Sequence, residues 1–504
     1  MLGSCSKMFL AAAVGILVED GAMSWDDPIK RHVPDFDPVG DSEIGRNATI
    51  RDALSHTTGL GRPQTLVWGP NGSVTVDESS YVRFLNQSFV KDDEEPRSSR
   101  KQYYYSSQAY AVVALAVQNA SGRRFSDFLQ ERIFKPLGMQ NTITDAYDLE
   151  ACHNRAHGYA KLRDQSYVKI DTDSFTNSND SATLSVIGIR SSIEDMLIWL
   201  KALLKSSCSN RTEMDDPIRQ LSVIWNTQVE IGHDLGYCLG WYRGHLPSPG
   251  FGGISMNHKT LAHDPDLYMR NYLIGRGNPP KVFIGHSGTA SGFACSAYVF
   301  PETSSAIVAM ANGIDLGDAA DFTVKLFTQA LFDFKPRVDI LQFARQEANH
   351  RESFFERILL DWLEFRNVSP RESGLDDFVG DYEGFSISIN VFIRQETGRL
   401  AFTLNSLEKS LCNLEFYSKD DEFEIYSFMP LKRDEWLARG MIDWDGYAVG
   451  LLYFTRDQDT GKVDALCWLY ETTEPMGWFM KSGQKNEGLS SEPARLGGGG
   501  HSTG

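Results

Sequence analysis

The chain has 504 residues, of which 41% are hydrophobic and 23% are charged, and its formal net charge is -18. This composition is that of a globular protein with room for two or three domains. The acidic balance argues against nucleic acid and anionic membranes as partners, and no stretch has the ~18 to 20 consecutive apolar residues of a membrane span. Seven scattered cysteines without a C-x-x-C pair fit neither a zinc site nor a disulfide framework. No phosphate loop or zinc-protease helix is present either, and we expect no metal and no cofactor.

The start of the chain places a serine and a lysine three residues apart, Ser4 and Lys7, at the head of the apolar run Met8–Val18. Residues three apart share one face of a helix, so the lysine amine can lie beside the serine hydroxyl. A serine is a weak nucleophile until a base accepts its proton, and the N–H groups at a helix start suit a developing oxyanion. Alone, however, this spacing often arises by chance.

The same apolar run imitates a signal peptide, because Lys7 precedes it. It leads into Glu19 and Asp20 without a small-residue cleavage site, so we interpret it as a buried helix that ends at Gly21. The signal-peptide interpretation stays open, and glycosylation acceptor sequences also hint at secretion, so the compartment is left unassigned. These acceptors are Asn47, Asn71, Asn86, Asn119, Asn179, Asn210 and Asn367.

A second helix is predicted to start at the cap Thr49 and to run to Leu54, where the segment 55–60 (SHTTGL) ends it. His56 in this segment has the chemistry of a catalytic base, but a histidine that fixes a turn through hydrogen bonds is the simpler interpretation. Residues 61–100 are polar and irregular, with one helical piece near Tyr81–Phe89.

The tyrosines 103–105 and Ser107 lie just before a predicted helix, Tyr110–Gln118. A tyrosine at a helix start can shuttle a proton, although three aromatic residues that only pack together give the same pattern. A further helix is predicted at Asp127–Ile133, with Ser126 as its cap.

Farther along, Ser192 is predicted to cap the amphipathic helix Ile193–Leu204. A short apolar strand, Val282–Ile284, then delivers His286 between two glycines, which allow the backbone to approach a ligand closely. With no second histidine or cysteine beside it, His286 is not expected to bind a metal. It can donate to a substrate carboxylate, keep a neighbouring amine or phenol in the right charge state, or satisfy a strand-end turn. Later predicted elements are Ala294–Phe300, Ala306–Met310 and the helix Ala319–Leu331.

Taken together, three spaced motifs resemble those of the serine β-lactamase and penicillin-binding-protein superfamily. They are Ser4-x-x-Lys7, Tyr105-x-Ser107 and His286-x-Gly288. Connecting phrases support the resemblance: LSHTTGL at 54–60, ERIFKPLGM at 131–139 and PE at 301–302. The resemblance is to class C β-lactamase-related esterases and transesterases, and it covers roughly residues 3–335.

The resemblance implies an α/β (α+β) catalytic domain, in which an antiparallel sheet is flanked by helices and an all-helical subdomain is attached. It also implies that Ser4 is the nucleophile, that Lys7 activates it, and that Tyr105 shuttles the proton to the leaving group. The N–H groups of Ser4 and Thr289 would form the oxyanion hole. Either Lys7 or Tyr105 must lose its proton near neutral pH, and the sequence does not decide which. The other implied substrate-binding positions are Ser107, His286 and Gly288.

Two features depart from the family pattern. The second motif usually ends in asparagine, and the shorter Ser107 is expected to leave that substrate contact to water. Only three residues precede Ser4, where the family has a helix and two strands. We expect an incomplete gene model rather than a degenerate relative, because all three motifs are present.

After the catalytic domain, predicted as residues 1–335, residues 336–372 are predicted to form a helical linker. Residues 373–480 contain short segments that alternate apolar and polar between turn residues, which predicts an antiparallel sheet or small barrel; the resemblance implies a lipocalin-like β domain. The Gly/Ser-rich residues 481–504 are predicted to be disordered. The predicted strands are Tyr382–Phe385, Ile387–Ile393, Leu400–Leu404, Leu414–Tyr417, Glu422–Tyr426, Val449–Phe454 and Ala465–Tyr470.

The sequence therefore predicts a serine hydrolase that acts through an acyl-enzyme on a small-molecule ester, amide or lactam. Two alternatives stay open. One is an acyltransferase or transesterase of secondary metabolism, and the other is a non-catalytic β-lactamase-like protein that binds a ligand in the cleft where the family's active site lies. The natural substrate and the oligomeric state are left unassigned.

Overall fold

The structure is a computed structural model that describes residues 1–38, 42–88, 102–176, 179–208, 216–232, 234–253, 255–367, 374–420, 422–429, 432–440, 447–472 and 474–483. The chain divides into two compact units, Met1–Arg62 with Asp77–Glu352, and Pro63–Val76 with Ser353–Gly504. The predicted boundaries at 335, 372 and 480 remain predictions. Most of the tail predicted to be disordered, residues 484–504, lies outside the described residues.

Two apolar helices form the centre of the first unit. Lys7–Glu19 buries every residue from Lys7 to Leu17, and Ser107–Ser121 buries every residue from Ser107 to Val117. A helix that is apolar around its whole circumference is stable only inside a core, and these two helices pack against each other there. Packing therefore fixes both helix starts, which are the places where the predicted site residues lie.

Other helical segments of the first unit surround this pair. Thr49 and Asp52 form a capping box at the start of one of them, Ile50–Leu54, as the sequence predicted for Thr49. The others are Ile29–His32, Ser42–Asn47, Glu78–Asn86, Phe125–Leu129, Gln130–Phe134, Lys135–Leu137, Ala146–Ala151, Ser181–Thr183, Leu184–Gly188, Ile193–Cys208, Leu221–Ile224, Lys259–His263, Pro265–Asn271 and Ala319–Leu331. Ile340–Phe365 continues into the second unit.

A six-stranded antiparallel sheet completes the core of the first unit. Its strands are β1 (Val229–Gly232), β2 (Leu235–Tyr237), β3 (Tyr242–Leu246), β4 (Lys281–Ala290), β5 (Phe293–Phe300) and β6 (Ser305–Ala311). Each strand pairs with the next in sequence, so the sheet is a meander in the order β6-β5-β4-β3-β2-β1. β5 is buried along its whole length, and the helices Ile193–Cys208 and Ala319–Leu331 pack against β5 and β6. A smaller sheet is formed by Gly158–Lys161, Tyr167–Ile170 and Gly313–Ile314.

The second unit is built on a nine-stranded antiparallel sheet. Its strands are β7 (Gly380–Gly384), β8 (Ile387–Ile393), β9 (Leu400–Leu404), β10 (Leu407–Asn413), β11 (Glu415–Lys419), β12 (Glu424–Ser427), β13 (Leu451–Arg456), β14 (Val463–Trp468) and β15 (Gly477–Lys481). They lie in the order β10-β9-β8-β7-β15-β14-β13-β12-β11. Only Leu414 separates the two edge strands, β10 and β11, along the chain, so the sheet curls into a nearly closed barrel. The segment 63–76 adds the helix Gln64–Val67 and the short strands Trp68–Gly69 and Ser73–Val74, and the helix Arg433–Ala438 also belongs here.

The predicted fold class is confirmed: helices flank an antiparallel sheet, and a C-terminal antiparallel β domain follows. Among the described helices, we find none with the length and hydropathy that a bilayer span requires.

Several element predictions were wrong in detail. The helix predicted from Tyr110 begins at Ser107, because the Ser106 side chain caps it. Ser126 lies inside the helix Phe125–Leu129 and does not cap it.

A further correction concerns the strand predicted as Val282–Ile284. This strand continues to Ala290 because it pairs along its length with β5. His286 therefore lies within a strand, and the interpretation that it satisfies a strand-end turn was wrong.

Candidate active site

Ser4 lies in a single tight helical turn, Gly3–Ser6, that leads directly into the helix Lys7–Glu19. Gly3 has φ +54°, in the left-handed region that glycine enters without a steric penalty. The turn packs against β4 and β5. The sheet and the first core helix therefore meet at Ser4.

The Ser4 hydroxyl lies between an amine and a phenol. Lys7 Nζ is 3.1 Å from Ser4 Oγ, and the Tyr105 O–H donates to the same oxygen over 2.9 Å. Lys7 Nζ also donates to the Val186 carbonyl over 3.4 Å and lies 5.1 Å from the centre of the Tyr105 ring. The structure thus brings Ser4 and Lys7, which are neighbours in sequence, together with the distant Tyr105 in one hydrogen-bonded group.

The ammonium group of Lys7 loses its proton more readily than that of an ordinary lysine. Its side chain is completely buried, and this burial is the main cause that lowers the pKa of Lys7 from its ordinary 10.5 to about 7; Cys5 opposes the change. The hydrogen-bonding neighbours of Nζ are a hydroxyl and a carbonyl, neither of which carries a charge. Lys7 can therefore lose its proton near neutral pH and act as a base.

Tyr105 responds to burial in the opposite way. Burial raises the pKa of Tyr105 well above its ordinary value of 10.0, while the hydrogen bond to Ser4 opposes that change. The phenol keeps its proton at neutral pH, consistent with its donation to Ser4. These two directions answer the question that the sequence left open: Lys7, rather than Tyr105, deprotonates near neutrality.

The second motif is only partly assembled around Ser4. Ser106 caps the helix Ser107–Ser121, so Tyr105 is held just before the helix start. Ser107 is buried at that start. In the part of the chain that the structure describes, no hydrogen bond joins Ser107 to Ser4 or Lys7, so the structure does not bring it into the hydrogen-bonded group.

His286 lies beside the site with both ring nitrogens engaged. Its Nδ1–H donates to the Ser287 carbonyl over 2.6 Å, and its Nε2 accepts from the Tyr237 O–H over 3.2 Å. Burial, and secondly the charge of Lys7, lower the pKa of His286 to about 3, so the ring is neutral. In this arrangement the ring has no N–H left for the substrate carboxylate that the sequence suggested.

The backbone of Gly288 and Thr289 touches the turn that carries Ser4. A Cβ on Gly288 would lie 2.5 Å from Ser4 N, and a Cβ on Gly3 would lie 2.7 Å from Thr289 N. Such an approach is open only to glycine. The two predicted oxyanion donors, the N–H groups of Ser4 and Thr289, thus belong to backbone segments in direct contact.

Replacing Gly288 with alanine is expected to destabilise the first unit by about 1–3 kcal/mol, because the added methyl group overlaps backbone that cannot move aside. Gly313→Ala is the matched control, since a Cβ on this strand glycine meets nothing within 4 Å. Thermal unfolding of the two variants checks the prediction. Equal midpoints for Gly288→Ala and Gly313→Ala would contradict it.

Further aromatic residues line the site: Tyr103, which the sequence placed beside a predicted helix start, and Tyr110, Tyr237 and Tyr242, which were not predicted as site residues. The Tyr110 ring centre lies 5.5 Å from Lys7 Nζ, and the Tyr103 and Tyr242 hydroxyls are 2.6 Å apart. Tyr237, which holds His286, is also completely buried. The Tyr105 and Tyr110 rings lie beside the Lys7 amine, whose burial is the main cause of its low pKa. Tyr110 follows the second motif closely enough to have been noticed, but nothing in the spacing of Tyr237 or Tyr242 marks them.

The described residues contain no group of three or more histidine, cysteine, aspartate or glutamate side chains that could hold a metal ion.

The sequence of this chain is similar to those of a known hydrolase and a known penicillin-binding protein. The chain is 26% identical over 289 residues to an unguisins hydrolase of Aspergillus campestris, and the alignment covers 52% of each protein. It is 25% identical over 260 residues to a penicillin-binding protein of Bacillus subtilis, covering 49% of this chain and 53% of that protein. The chain spans about half the length of these curated relatives.

A solved structure, the octameric penicillin-binding protein homologue from Pyrococcus abyssi, is similar with a TM-score of 0.49 and 17% sequence identity, covering 95% of this chain and 87% of that one. The family model described as beta-lactamase matches residues 1–326, which is more than half of the chain. The resemblance first seen in the spacing of Ser4, Tyr105 and His286 is thereby confirmed, and the chain belongs to the beta-lactamase family.

Proposed function

We propose that this protein is a serine hydrolase that forms an acyl-enzyme on Ser4 from a small-molecule ester, amide or lactam. The observation that carries the proposal is the pair of contacts on Ser4 Oγ, one from a buried amine with a pKa of about 7 and one from a protonated phenol. Membership of the beta-lactamase family supports it, as does similarity to a hydrolase and to a penicillin-binding protein.

Acylation begins when the neutral Lys7 amine accepts the Ser4 proton and Ser4 Oγ attacks the acyl carbon. The bond from that carbon to the leaving group then breaks, and the leaving group takes a proton from the Tyr105 phenol. The Lys7 ammonium restores the proton of Tyr105, so no proton is gained or lost overall. Water then attacks the acyl-enzyme by the same steps in reverse, which releases a carboxylic acid and regenerates Ser4.

The negative charge of each tetrahedral intermediate is assigned to the N–H groups of Ser4 and Thr289. The close approach of Gly288 to Ser4 N supports this assignment, because it holds the two backbone segments together. The start of the helix Lys7–Glu19 adds the positive end of a helix dipole beside Ser4. One donor of this kind typically contributes about 10² to 10³ in rate.

Covalent labelling tests the proposal. The full chain and Ser4→Ala are each incubated with an activated aryl ester and with a fluorescent penicillin, and labelling is followed by intact mass and gel fluorescence. We expect the wild type, and not the variant, to gain the mass of the acyl group. Equal labelling of both proteins would remove Ser4 from the mechanism, and labelling of neither would favour a protein that only binds ligands.

A second arm of the experiment separates hydrolysis from acyl transfer. An alcohol is added to the labelled wild type, and the products are separated by chromatography. Hydrolysis is expected to give the free acid at an unchanged yield. A new ester that grows with the alcohol concentration would instead identify an acyltransferase.

The rate of acylation is expected to rise with pH through about 7 and then to level off. The pKa of Lys7 is lowered in the folded chain, so the neutral base is the minor form below that pH and the major form above it. The burst of aryl alcohol released from an activated ester, measured from mildly acidic to mildly alkaline pH, gives this profile. A flat profile, or a rise only near the ordinary pKa of lysine, would contradict the assignment of Lys7 as the base.

A further inference from the structure

His56 lies immediately after the helix Ile50–Leu54 in an unusual backbone conformation. Its φ is +59°, in the left-handed region that only a few per cent of residues other than glycine occupy, with asparagine, aspartate and histidine the most frequent among them. Its ring is completely buried. A strained, buried histidine persists only where the surrounding structure over-determines it, and such positions cluster at functional sites.

His56 accepts two hydrogen bonds from the residues on either side of Tyr105. The Tyr104 N–H donates to the His56 carbonyl over 2.8 Å, and the Ser106 N–H donates to His56 Nδ1 over 3.0 Å. The backbone on either side of Tyr105 is thus tied to a single residue from another part of the chain.

The imidazole ring also lies against the phenol itself. The ring centres of His56 and Tyr105 are 4.2 Å apart with an angle of 36° between their planes. The rings of Tyr110 and Tyr237 lie at 4.8 Å and 4.7 Å from the same imidazole. His56 is therefore enclosed by aromatic rings, and Tyr105 is the nearest of them.

The hydrogen bonds of the His56 ring show which of its two nitrogens carries the proton. Because Nδ1 accepts a hydrogen bond, the proton of the neutral imidazole is on Nε2, and Nε2 has no hydrogen-bond partner among the described residues. In the same part of the chain, no hydrogen bond joins His56 to Ser4, which leaves the histidine without the contact that a base for this serine needs. Burial, and secondly the charge of Lys7, also holds the pKa of His56 well below its ordinary value.

We propose that His56 is a positioning residue for Tyr105: its Nδ1 and its carbonyl fix the backbone on both sides of the tyrosine, so that the phenol hydroxyl stays on Ser4 Oγ. This inference rests on the function proposed above for Tyr105. It assigns His56 a role beyond holding its own turn, because both bonds end on the segment that carries the proton donor.

Two variants at position 56, whose side chains have the same number of non-hydrogen atoms as each other, test the proposal. His56→Asn keeps an acceptor near the position of Nδ1 and tolerates positive φ, whereas His56→Leu has the same shape without an acceptor. Acylation by an unactivated alkyl ester is expected to fall at most about tenfold in the asparagine variant, the limit for loss of an aromatic pair. We expect the leucine variant to be slower than the asparagine variant by a further factor of about ten or more. Equal rates in the two variants would overturn the proposal.

A double-mutant cycle separates positioning of Tyr105 from general support of the fold. In a Tyr105→Phe background the phenol is absent, so the asparagine and leucine variants are expected to acylate at rates within about twofold of each other. If the difference between them persists unchanged in that background, His56 acts independently of Tyr105 and the proposal fails. Thermal unfolding confirms beforehand that every variant is folded at the assay temperature.

A readout that needs no catalysis distinguishes this proposal from the proposed function. With 3-fluorotyrosine at position 105, the fluorine NMR spectrum is expected to show one narrow resonance in the wild type and in His56→Asn, and a broadened or split resonance in His56→Leu. Identical spectra in all three proteins would overturn the positioning role even if acylation is observed. An unreactive wild type with the expected spectra would instead refute the proposed function alone.

Discussion

Replacing Lys7 with methionine is expected to slow acylation of Ser4 by about 10³-fold and, at the same time, to stabilise the folded protein. Methionine fills a similar volume without the amine. Both side chains hydrogen-bonded to Ser4 Oγ are donors in the structure, but only Lys7 has a pKa lowered to about 7, so its neutral amine is the group that can accept the Ser4 proton near neutral pH. Without Lys7 the serine stays a weak nucleophile.

The gain in stability follows from the same pKa. The difference between the ordinary 10.5 and about 7 in the folded chain corresponds to roughly 5 kcal/mol that burial of the amine costs at low pH. Because the folded-state pKa is lower, the unfolded chain binds more protons between those two values, and stability rises with pH across that window. The advantage of Lys7→Met over the wild type is therefore largest at and below about pH 7 and disappears towards alkaline pH.

Two measurements check this pair of effects: the acylation burst with an activated ester, and thermal unfolding at several pH values. Lys201→Met is the control, since Lys201 is an exposed lysine on the helix Ile193–Cys208, and we expect it to change neither quantity appreciably. A Lys7→Met protein that acylates at the wild-type rate, or one that is less stable than the wild type near neutral pH, would contradict the role assigned to Lys7.

Replacing Tyr105 with phenylalanine is expected to depend strongly on the leaving group. Acylation by an unactivated alkyl ester should fall by about 10²- to 10³-fold, because the alkoxide must take a proton from the phenol as it leaves. An activated aryl ester releases a stable anion and needs no such proton, so its acylation should fall much less. The pKa of Tyr105 is raised by burial, which keeps the phenol protonated for this task.

Rates for a series of esters with leaving groups of different basicity measure this dependence. Tyr147→Phe serves as the control, because Tyr147 is 78% exposed and lies on the short helix Ala146–Ala151. A loss of equal size for alkyl and aryl esters would mean that Tyr105 does not protonate the leaving group.

The local part of the site was predictable from the sequence. Ser4 and Lys7 lie within one turn of each other, so their spacing already placed the amine beside the hydroxyl. The motif around Tyr105 depended on the family resemblance, since no local rule brings residues 4 and 105 together.

The electrostatics of the site were not predictable from the sequence. The pKa of Lys7 depends on burial among Tyr110 and other rings that come from distant segments, and such burial is a property of tertiary packing. The tautomer of His286 is set by the Ser287 carbonyl, which accepts from Nδ1, and the partner of Nε2 is Tyr237 from β2, a distant segment that no local rule brings to this ring.

In the second unit, the strands with strong apolar character were predicted close to their observed bounds, and Ile387–Ile393 and Leu400–Leu404 matched fully. Two strands of the nine-stranded sheet were missed. Leu407–Asn413 is an edge strand with mostly polar residues. Gly477–Lys481 has a glycine followed by three consecutive apolar residues. Neither sequence alternates between apolar and polar residues, which is the pattern on which strand prediction depends.

The most direct test of the central claim is to locate the acyl group on the chain. The wild-type protein is labelled with an activated ester, digested, and analysed by fragmentation mass spectrometry of the peptide that contains Ser4, Cys5 and Ser6. We predict that the adduct is on Ser4, because its Oγ contacts both Lys7 and Tyr105, whereas the buried Cys5 thiol donates to the His286 carbonyl. An adduct on Cys5, on Ser6 or on any other peptide would contradict the mechanism.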